Sequence, residues 1–268
     1  VPKTVSPHLN VVYGQTGARK LLADIFIPNT GKSPFPAVVV VHGGGWLNGD
    51  KAKFRALALA LCQRGYVTMA IGYRLGHEAK FPAGIQDCNA AVRFLRGKAK
   101  QFHVDPQHIG AVGGSAGGHL VGLMAAAPHA NKLQGDAGNQ DQSSALQAAI
   151  VMAGPMQMAS GSVAERSRTN PKKSNSNQWL GKTIVEDISS FDLLGIRHRT
   201  GQTTGTNLRE GIVKIIFHCF FRDGKCKGDS LVVVTCGVRF LCSVELDRRA
   251  FCFSRGRTEP GEENFLFK

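Results

Sequence analysis

The pattern of hydrophobic and polar positions predicts alternating strands and helices over the first two thirds of the chain. Two strand-like runs, residues 9–13 and 21–27, are joined through Gly14 and Gly17 and predict a β-hairpin. Short apolar runs rich in β-branched residues then predict buried strands. These runs are residues 37–41, 67–71, 109–112 and 148–152.

Helical periodicity fills the intervals between the predicted strands. Apolar residues recur at three- and four-residue steps over residues 82–102 and lie on one face of residues 51–64. A third helix is predicted over residues 116–127, whereas residues 131–145 are polar and predict a loop. Residues 156–187 are also polar and predict a cap or a connecting loop. The order of elements predicts an α/β fold with a mainly parallel sheet covered by helices on both faces.

The composition of the chain changes near residue 188. Residues 189–268 contain one alanine, Ala250, but five of the seven cysteines, and their periodicity is poor. We therefore divide the chain into a core, residues 1–188, and an atypical tail, residues 189–268. Two stretches of the tail are strand-like, residues 212–217 and 231–235. The tail is either a separate small domain or not the segment that normally completes this fold, for example an out-of-frame or read-through product, and we favour the second interpretation.

Charge and cysteine content narrow the classes of function that the sequence supports. The net charge is +14, which attracts polyanions such as nucleic acid. The basic residues are scattered, with no run of five and no interleaved aromatic residues, which favours a solvated basic surface over a specific nucleic-acid site. No apolar stretch reaches the roughly 18 residues of a membrane span. The cysteine spacing fits neither a zinc site nor a recognised disulfide framework. The oligomeric state stays open.

The start of the chain gives no information about its compartment. The first residue is Val1 and no secretory hydrophobic segment is present, which indicates a fragment or a processed product. A periplasmic, secreted or cytoplasmic location is compatible with this sequence.

Residues 109–120 contain the motif around which the core is organised. Ser115 lies between Gly113 and Gly117 after a short apolar run, in the G-x-S-x-G pattern of a nucleophile elbow. Such a serine stands on a strained strand-to-helix turn, and a Cβ two residues to either side would collide with the neighbouring strand or helix. The helix that begins at Ala116 directs free N–H groups towards an anion formed beside the serine.

A second glycine loop follows the predicted strand 37–41. Residues 42–46 read His-Gly-Gly-Gly-Trp, the pattern that supplies the other half of an oxyanion hole. Its N–H groups approach a tetrahedral intermediate closely because the glycines have no side chains. Two such loops in this order, each behind a strand, predict the α/β-hydrolase fold.

The acid and the base of a catalytic triad are harder to assign. In α/β-hydrolases they follow Ser115 in the order acid, then histidine. His119 lies one turn along the elbow helix and is expected to pack there, and His198 lies between two arginines. The best candidates within the chain are therefore Asp192 and His218, because His218 follows a strand-like run and Asp192 precedes it.

The chain resembles the H-G-G-G esterases, which include hormone-sensitive-lipase-like esterases and, more closely, bacterial esterases of the bifunctional feruloyl and acetyl-xylan type. The resemblance covers about residues 8–185 and is carried by residues 42–46, Tyr73-Arg74-Leu75, Phe81-Pro82-Ala83, Asp87 with residues 90–95, Asp105-Pro106 and residues 114–120. It implies hydrolysis of a carboxylic ester, with Ser115 as nucleophile and an oxyanion hole made by the N–H groups of Gly44, Gly45 and Ala116. The implied substrate is a small-molecule or polysaccharide ester, and no metal or organic cofactor is implied.

The tail departs from the pattern of these esterases. Their acid follows a strand that ends in His-Gly; here residues 215–218 resemble that strand, Cys219 stands in place of the glycine and Asp223 lies nearby. The final histidine of these esterases has no counterpart in this sequence. The resemblance therefore leaves the acid and the base unassigned. The alternative functions are an α/β-hydrolase-fold protein that lacks the triad histidine, either a damaged product or a binding protein, and a polyanion-binding protein.

Overall fold

The computed structural model describes residues 1–156, 158 and 161–184, together with the backbone of residues 231–235. In this part of the chain seven strands form one sheet: β1 (Val5–Thr16), β2 (Arg19–Pro28), β3 (Phe35–Val41), β4 (Val67–Ile71), β5 (Val104–Gly114), β6 (Ala148–Met152) and β7 (Leu231–Thr235). Their spatial order is β1-β2-β4-β3-β5-β6-β7. β2 pairs antiparallel with both β1 and β4, and every pair from β4 to β7 is parallel. The predicted mainly parallel sheet is confirmed.

Helices connect the parallel strands and cover both faces of the sheet. Those in the described residues are α1 (Arg55–Cys62), α2 (Ala83–Gly97), α3 (Ala116–Ala126), α4 (Asn131–Gln134), α5 (Gly161–Thr169) and α6 (Asn175–Leu180), with 3₁₀ turns at Lys51–Phe54 and Pro171–Lys173. Within this set, no helix has both the length and the apolar character that crossing a bilayer requires.

The hydrophobic core consists of two layers, one on each face of the sheet. Successive side chains of a strand point to opposite faces. Val39 and Val41 of β3 accordingly join the large cluster under α2 and α3, whereas Val40 joins a smaller cluster with Ala58 and Cys62 of α1. All five side chains are at most 1% exposed. Because β3 is buried on both faces of the sheet, all successive positions at its end are apolar, which explains its continuous run of valines.

Several predicted boundaries are wrong, and tertiary contacts explain two of them. Gly14 lies inside β1, where it pairs with Leu21. A Cβ there would lie 2.7 Å from the carbonyl oxygen of Ala137, so this glycine serves a close approach of a distant segment and not a turn. The helix predicted over 82–102 ends at Gly97. The chain then turns so that Phe102, which continues the apolar period, packs back on Phe94 with ring centroids 5.8 Å apart.

Other elements differ from the predictions in kind. The helix predicted over 51–64 is a 3₁₀ turn followed by the shorter α1, and the predicted loop 131–145 contains α4. The polar stretch 156–187 contains α5 and α6.

The strand-like stretch 231–235 of the tail is confirmed as β7, parallel to β6. The other strand-like stretch of the tail, residues 212–217, lies outside the described residues.

Candidate active site

Ser115 occupies the tight turn between β5 and α3. Its backbone has a φ of 54° and a ψ of −121°, a region that side-chain-bearing residues rarely adopt and that costs about 1–3 kcal/mol. Two hydrogen bonds hold this turn: the Ser115 N–H donates to the carbonyl oxygen of Met152 at 2.8 Å, and the Ser115 carbonyl accepts from the His119 N–H at 3.0 Å. Ser115 is exposed between buried neighbours. The turn therefore presents its hydroxyl to solvent at the carboxyl edge of the sheet.

The two motif glycines are required by close backbone packing. A Cβ on Gly113 would overlap the carbonyl of Gly117, and a Cβ on Gly117 would overlap the carbonyl oxygen of Val41 and lie 2.5 Å from that of His42. Real Cβ atoms do not approach backbone oxygens so closely. The steric reason predicted for G-x-S-x-G is confirmed, and it brings the start of α3 against the end of β3.

The H-G-G-G loop leaves β3 directly beside the elbow. A Cβ on Gly43 would lie 2.5 Å from the Gly114 carbonyl oxygen and 3.2 Å from the Ser115 Cβ, so the loop and the elbow are in contact. Gly44 and Gly45 have φ values of 136° and 60°, which favour glycine. The Gly44 carbonyl accepts from Asn48 at 3.0 Å. Among the described residues, the N–H groups of Gly44 and Gly45 donate no hydrogen bond.

His42 supports this loop and is itself buried. Its Nδ1 lies 2.9 Å from the Gly43 carbonyl oxygen, and its ring stacks on Tyr73 with centroids 4.4 Å apart. The Tyr73 hydroxyl donates to the His42 carbonyl at 2.9 Å. Burial lowers the pKa of His42 below its ordinary value. His42 is therefore neutral and stacked on Tyr73, and it stabilises the glycine loop through its contact with Gly43.

An aromatic cluster lies beneath the two loops. Trp46 stacks on Trp179 of α6 at 5.1 Å, and the His119 ring meets both indoles edge-on at 5.4 and 5.5 Å. Phe81 contacts Trp179 at 5.0 Å. Burial lowers the pKa of His119 to about 4, and its Nδ1 has no partner in the described residues. His119 packs, as expected, and is not placed to exchange protons with solvent.

Asn175, at the start of α6, is the residue at this site that sequence analysis missed. A Cβ on Gly45 would overlap Nδ2 of Asn175 and lie 3.2 Å from its Cγ, so the Asn175 amide covers this glycine. Asn175 lies in a polar, serine- and asparagine-rich stretch with no local motif. The one signal that could have shown that this stretch packs on the core is the strong apolar pair that follows, Trp179 and Leu180.

The structure brings some of the predicted site residues together. The glycine loop with Gly44 and Gly45, Ser115 and the first residue of α3, Ala116, meet at the carboxyl ends of β3 and β5. The candidate acid and base, Asp192 and His218, lie outside the described residues, as do His198 and Asp223. Within the described part of the chain, no three histidine, cysteine or acidic residues cluster as a metal site would require.

Comparison with known proteins agrees with this arrangement. The BD-FAE family model matches residues 23–194 of the chain. Carboxylesterase NlhH of Mycobacterium tuberculosis is 31% identical over 128 residues, which are 46% of this chain and 40% of that protein. The chain thus spans less than half the length of this relative.

Two solved structures resemble the described fold. The propionate-bound esterase Est2 of Thermogutta terrifontis is 30% identical, has a TM-score of 0.54, and the match covers 68% of this chain and 64% of that one. A truncated carbohydrate esterase from gut microbiota is 28% identical with a TM-score of 0.52, and the match covers 59% and 60% of the two chains. The family match spans well over half of the sequence. The chain belongs to the BD-FAE family and has the α/β-hydrolase fold.

Proposed function

We propose that this protein is a serine carboxylester hydrolase in which Ser115 is the nucleophile. The observation that carries the proposal is the exposed Ser115 on its strained turn, in contact with a glycine loop whose N–H groups at Gly44 and Gly45 are free among the described residues. An esterase needs a reactive hydroxyl and N–H donors for the anion that forms beside it. The names of the matched carboxylesterase and of the Est2 structure support the same activity.

The proposed reaction has two halves. The Ser115 Oγ attacks the ester carbonyl carbon, and its proton passes to a histidine base, for which His218, with Asp192 as its acid, is the best candidate that the sequence offers. The carbonyl oxygen becomes an oxyanion held by the N–H groups of Gly44, Gly45 and Ala116. The intermediate then expels the alcohol, which takes the proton from the histidine. Water attacks the acyl-enzyme in the same way and releases the carboxylic acid.

Ester-linked acyl groups on carbohydrates are the substrate class that we favour. The resemblance to feruloyl and acetyl-xylan esterases and the fold match to a carbohydrate esterase support this class.

The experiment that tests the proposal compares hydrolysis of p-nitrophenyl acetate by the full chain and by its Ser115→Ala variant. We expect turnover by the wild type and a loss of at least about 10³-fold in the variant, because residual catalysis without the nucleophile is small. An organophosphonate should label Ser115 in the wild type, as detected by mass spectrometry. Ser143→Ala, which removes a serine from the loop before β6, is the control and should retain full activity.

The alternative is an α/β-hydrolase-fold protein without a working base. A folded wild type that neither turns over the ester nor reacts with the phosphonate would contradict the proposed function. If turnover is observed, His218→Ala tests the assignment of the base: activity close to that of the wild type would exclude His218.

A further inference from the structure

The Asn175 amide lies where a side chain of Gly45 would otherwise be. A Cβ on Gly45 would overlap Nδ2 of Asn175 and would lie 3.2 Å and 3.5 Å from its Cγ and Cβ. Gly45 carries one of the free N–H groups of the glycine loop. A side-chain amide nitrogen is therefore packed against the residue that we assign to the oxyanion hole.

The segment that carries Asn175 is held by contacts with two other parts of the chain. The Lys80 ammonium donates to the carbonyl oxygen of Gln178 at 2.8 Å, and the Phe81 N–H donates to that of Trp179 at 3.0 Å. Trp179 stacks on Trp46, the residue that follows Gly45. These contacts join α6 to the glycine loop, so the position of Asn175 relative to Gly45 is set before any ligand binds.

The Asn175 side chain is free to bind a ligand. Asn175 is exposed, and its amide has no hydrogen-bond partner among the described residues. In the same helix, the Asn177 amide donates to the carbonyls of Ser167 and Pro171, and the Gln178 amide donates to that of Lys172. The other amide side chains of α6 are thus used to hold the structure, whereas the one beside Gly45 is not.

We infer that Asn175 is a substrate-contacting residue whose Nδ2–H donates to the ester carbonyl oxygen as it becomes an oxyanion. This inference rests on the function proposed above. A neutral amide donor has two N–H groups and needs no counter-charge, and a donor fixed in advance stabilises the developing charge without reorganisation. Asn175, which follows Gly45 by 130 positions in the sequence, adds a side-chain donor to the backbone donors of the glycine loop.

Two substitutions of Asn175 distinguish a role as hydrogen-bond donor to the substrate from a role in packing against Gly45. Asn175→Ala removes the amide, and Asn175→Asp keeps its shape but replaces the donor by a carboxylate that repels an oxyanion. We expect kcat for p-nitrophenyl acetate to fall about 10²-fold in Asn175→Ala, with KM changed by less than about threefold, since removing one oxyanion donor has this effect. Asn175→Asp should lose at least as much, although an acidic residue in the first turn favours α6.

Gln178→Ala is the matched control, because it removes an exposed amide of the same helix that donates to Lys172 rather than facing Gly45. It should keep kcat near that of the wild type, and thermal unfolding should show all three variants folded. A kcat within about twofold of wild type in Asn175→Ala, or full activity in Asn175→Asp, would overturn the inference, since packing alone predicts that the isosteric aspartate is tolerated.

The Ser115→Ala variant, measured alongside, distinguishes the two proposals. If Ser115→Ala loses activity while Asn175→Ala retains it, the proposed function stands and the role of Asn175 is wrong. If the wild type shows neither turnover nor a Ser115 adduct, both are overturned.

Discussion

The Tyr73 hydroxyl donates a 2.9 Å hydrogen bond to the carbonyl oxygen of His42, the first residue of the glycine loop. The two rings also stack, with centroids 4.4 Å apart and planes inclined by 17°. Tyr73 is 2% exposed and follows β4, the strand next to β3 in the sheet. The glycine loop is therefore anchored to the neighbouring strand, so its geometry does not depend on the flexible glycines alone.

Replacing Tyr73 by phenylalanine keeps the stacking and removes the hydrogen bond. We expect Tyr73→Phe to lower the free energy of unfolding by about 1–2 kcal/mol, because the buried His42 carbonyl loses its partner. Because the hydrogen bond also holds the glycine loop in position, we expect kcat for p-nitrophenyl acetate to fall while KM changes little. Urea unfolding and steady-state kinetics measure the two effects. An unchanged unfolding midpoint would show that the bond contributes nothing to stability.

Gly117→Ala tests the packing of the elbow against β3. The added Cβ meets the carbonyl oxygens of Val41 and His42, which belong to the backbone and cannot move aside as a flexible side chain does. We expect a loss of stability of about 1–3 kcal/mol and a large loss of esterase activity. Gly72→Ala is the control, since its nearest neighbour would be the Leu22 carbonyl oxygen at an ordinary 3.5 Å. Equal stability of the two variants would contradict this packing.

The buried pair of Arg74 and Asp87 predicts a strong effect of substitution on stability. The Asp87 side chain is fully buried and accepts from the Arg74 guanidinium through Nε and a terminal nitrogen, and also from the Arg74 backbone N–H at 2.8 Å. Asp87→Asn should destabilise by about 3–5 kcal/mol, because it leaves a partly buried cation without its counter-charge. Arg74→Lys should cost less, since it keeps the charge but loses the bidentate geometry. Chemical denaturation checks this order, and the reverse order would refute it.

Burial of His119 predicts a specific loss of stability in acid. The pKa of His119 is lowered from 6.5 to about 4, because burial disfavours the charged ring. As the pH falls from about 6.5 to 4, the unfolded chain binds a proton that the folded protein does not, so the free energy of unfolding falls. The loss is about 1.4 kcal/mol per pH unit, or about 3 kcal/mol in all.

Urea titrations between pH 7 and pH 4 measure this loss. His119→Phe keeps an aromatic ring against Trp46 and Trp179 and removes the titrating group, so its stability should fall less over this range. Parallel curves for the two proteins would mean that His119 is protonated in the folded state as readily as in the unfolded one.

Local chemistry determined the parts of the site that sequence analysis predicted. The glycines around Ser115 and the glycines after β3 are recognisable because each avoids a collision within its own turn or with an adjacent strand, and such constraints act at fixed spacing along the chain. The runs of β-branched residues in β3 and β4 are equally local, because burial on both faces of a sheet requires them. The α/β-hydrolase fold, the elbow and the glycine loop could therefore be predicted.

Contacts between distant segments decided the features that the sequence did not predict. The end of α2 at Gly97, the place of Gly14 inside β1 and the position of Asn175 over Gly45 depend on close approaches between parts of the chain that share no local pattern. An exposed asparagine in a polar stretch has no sequence period that marks it as part of a site. The sequence by itself determined which turns carry Ser115 and the free N–H groups; only the tertiary structure decided which side chain is brought against them, because that depends on how α6 packs on Trp46.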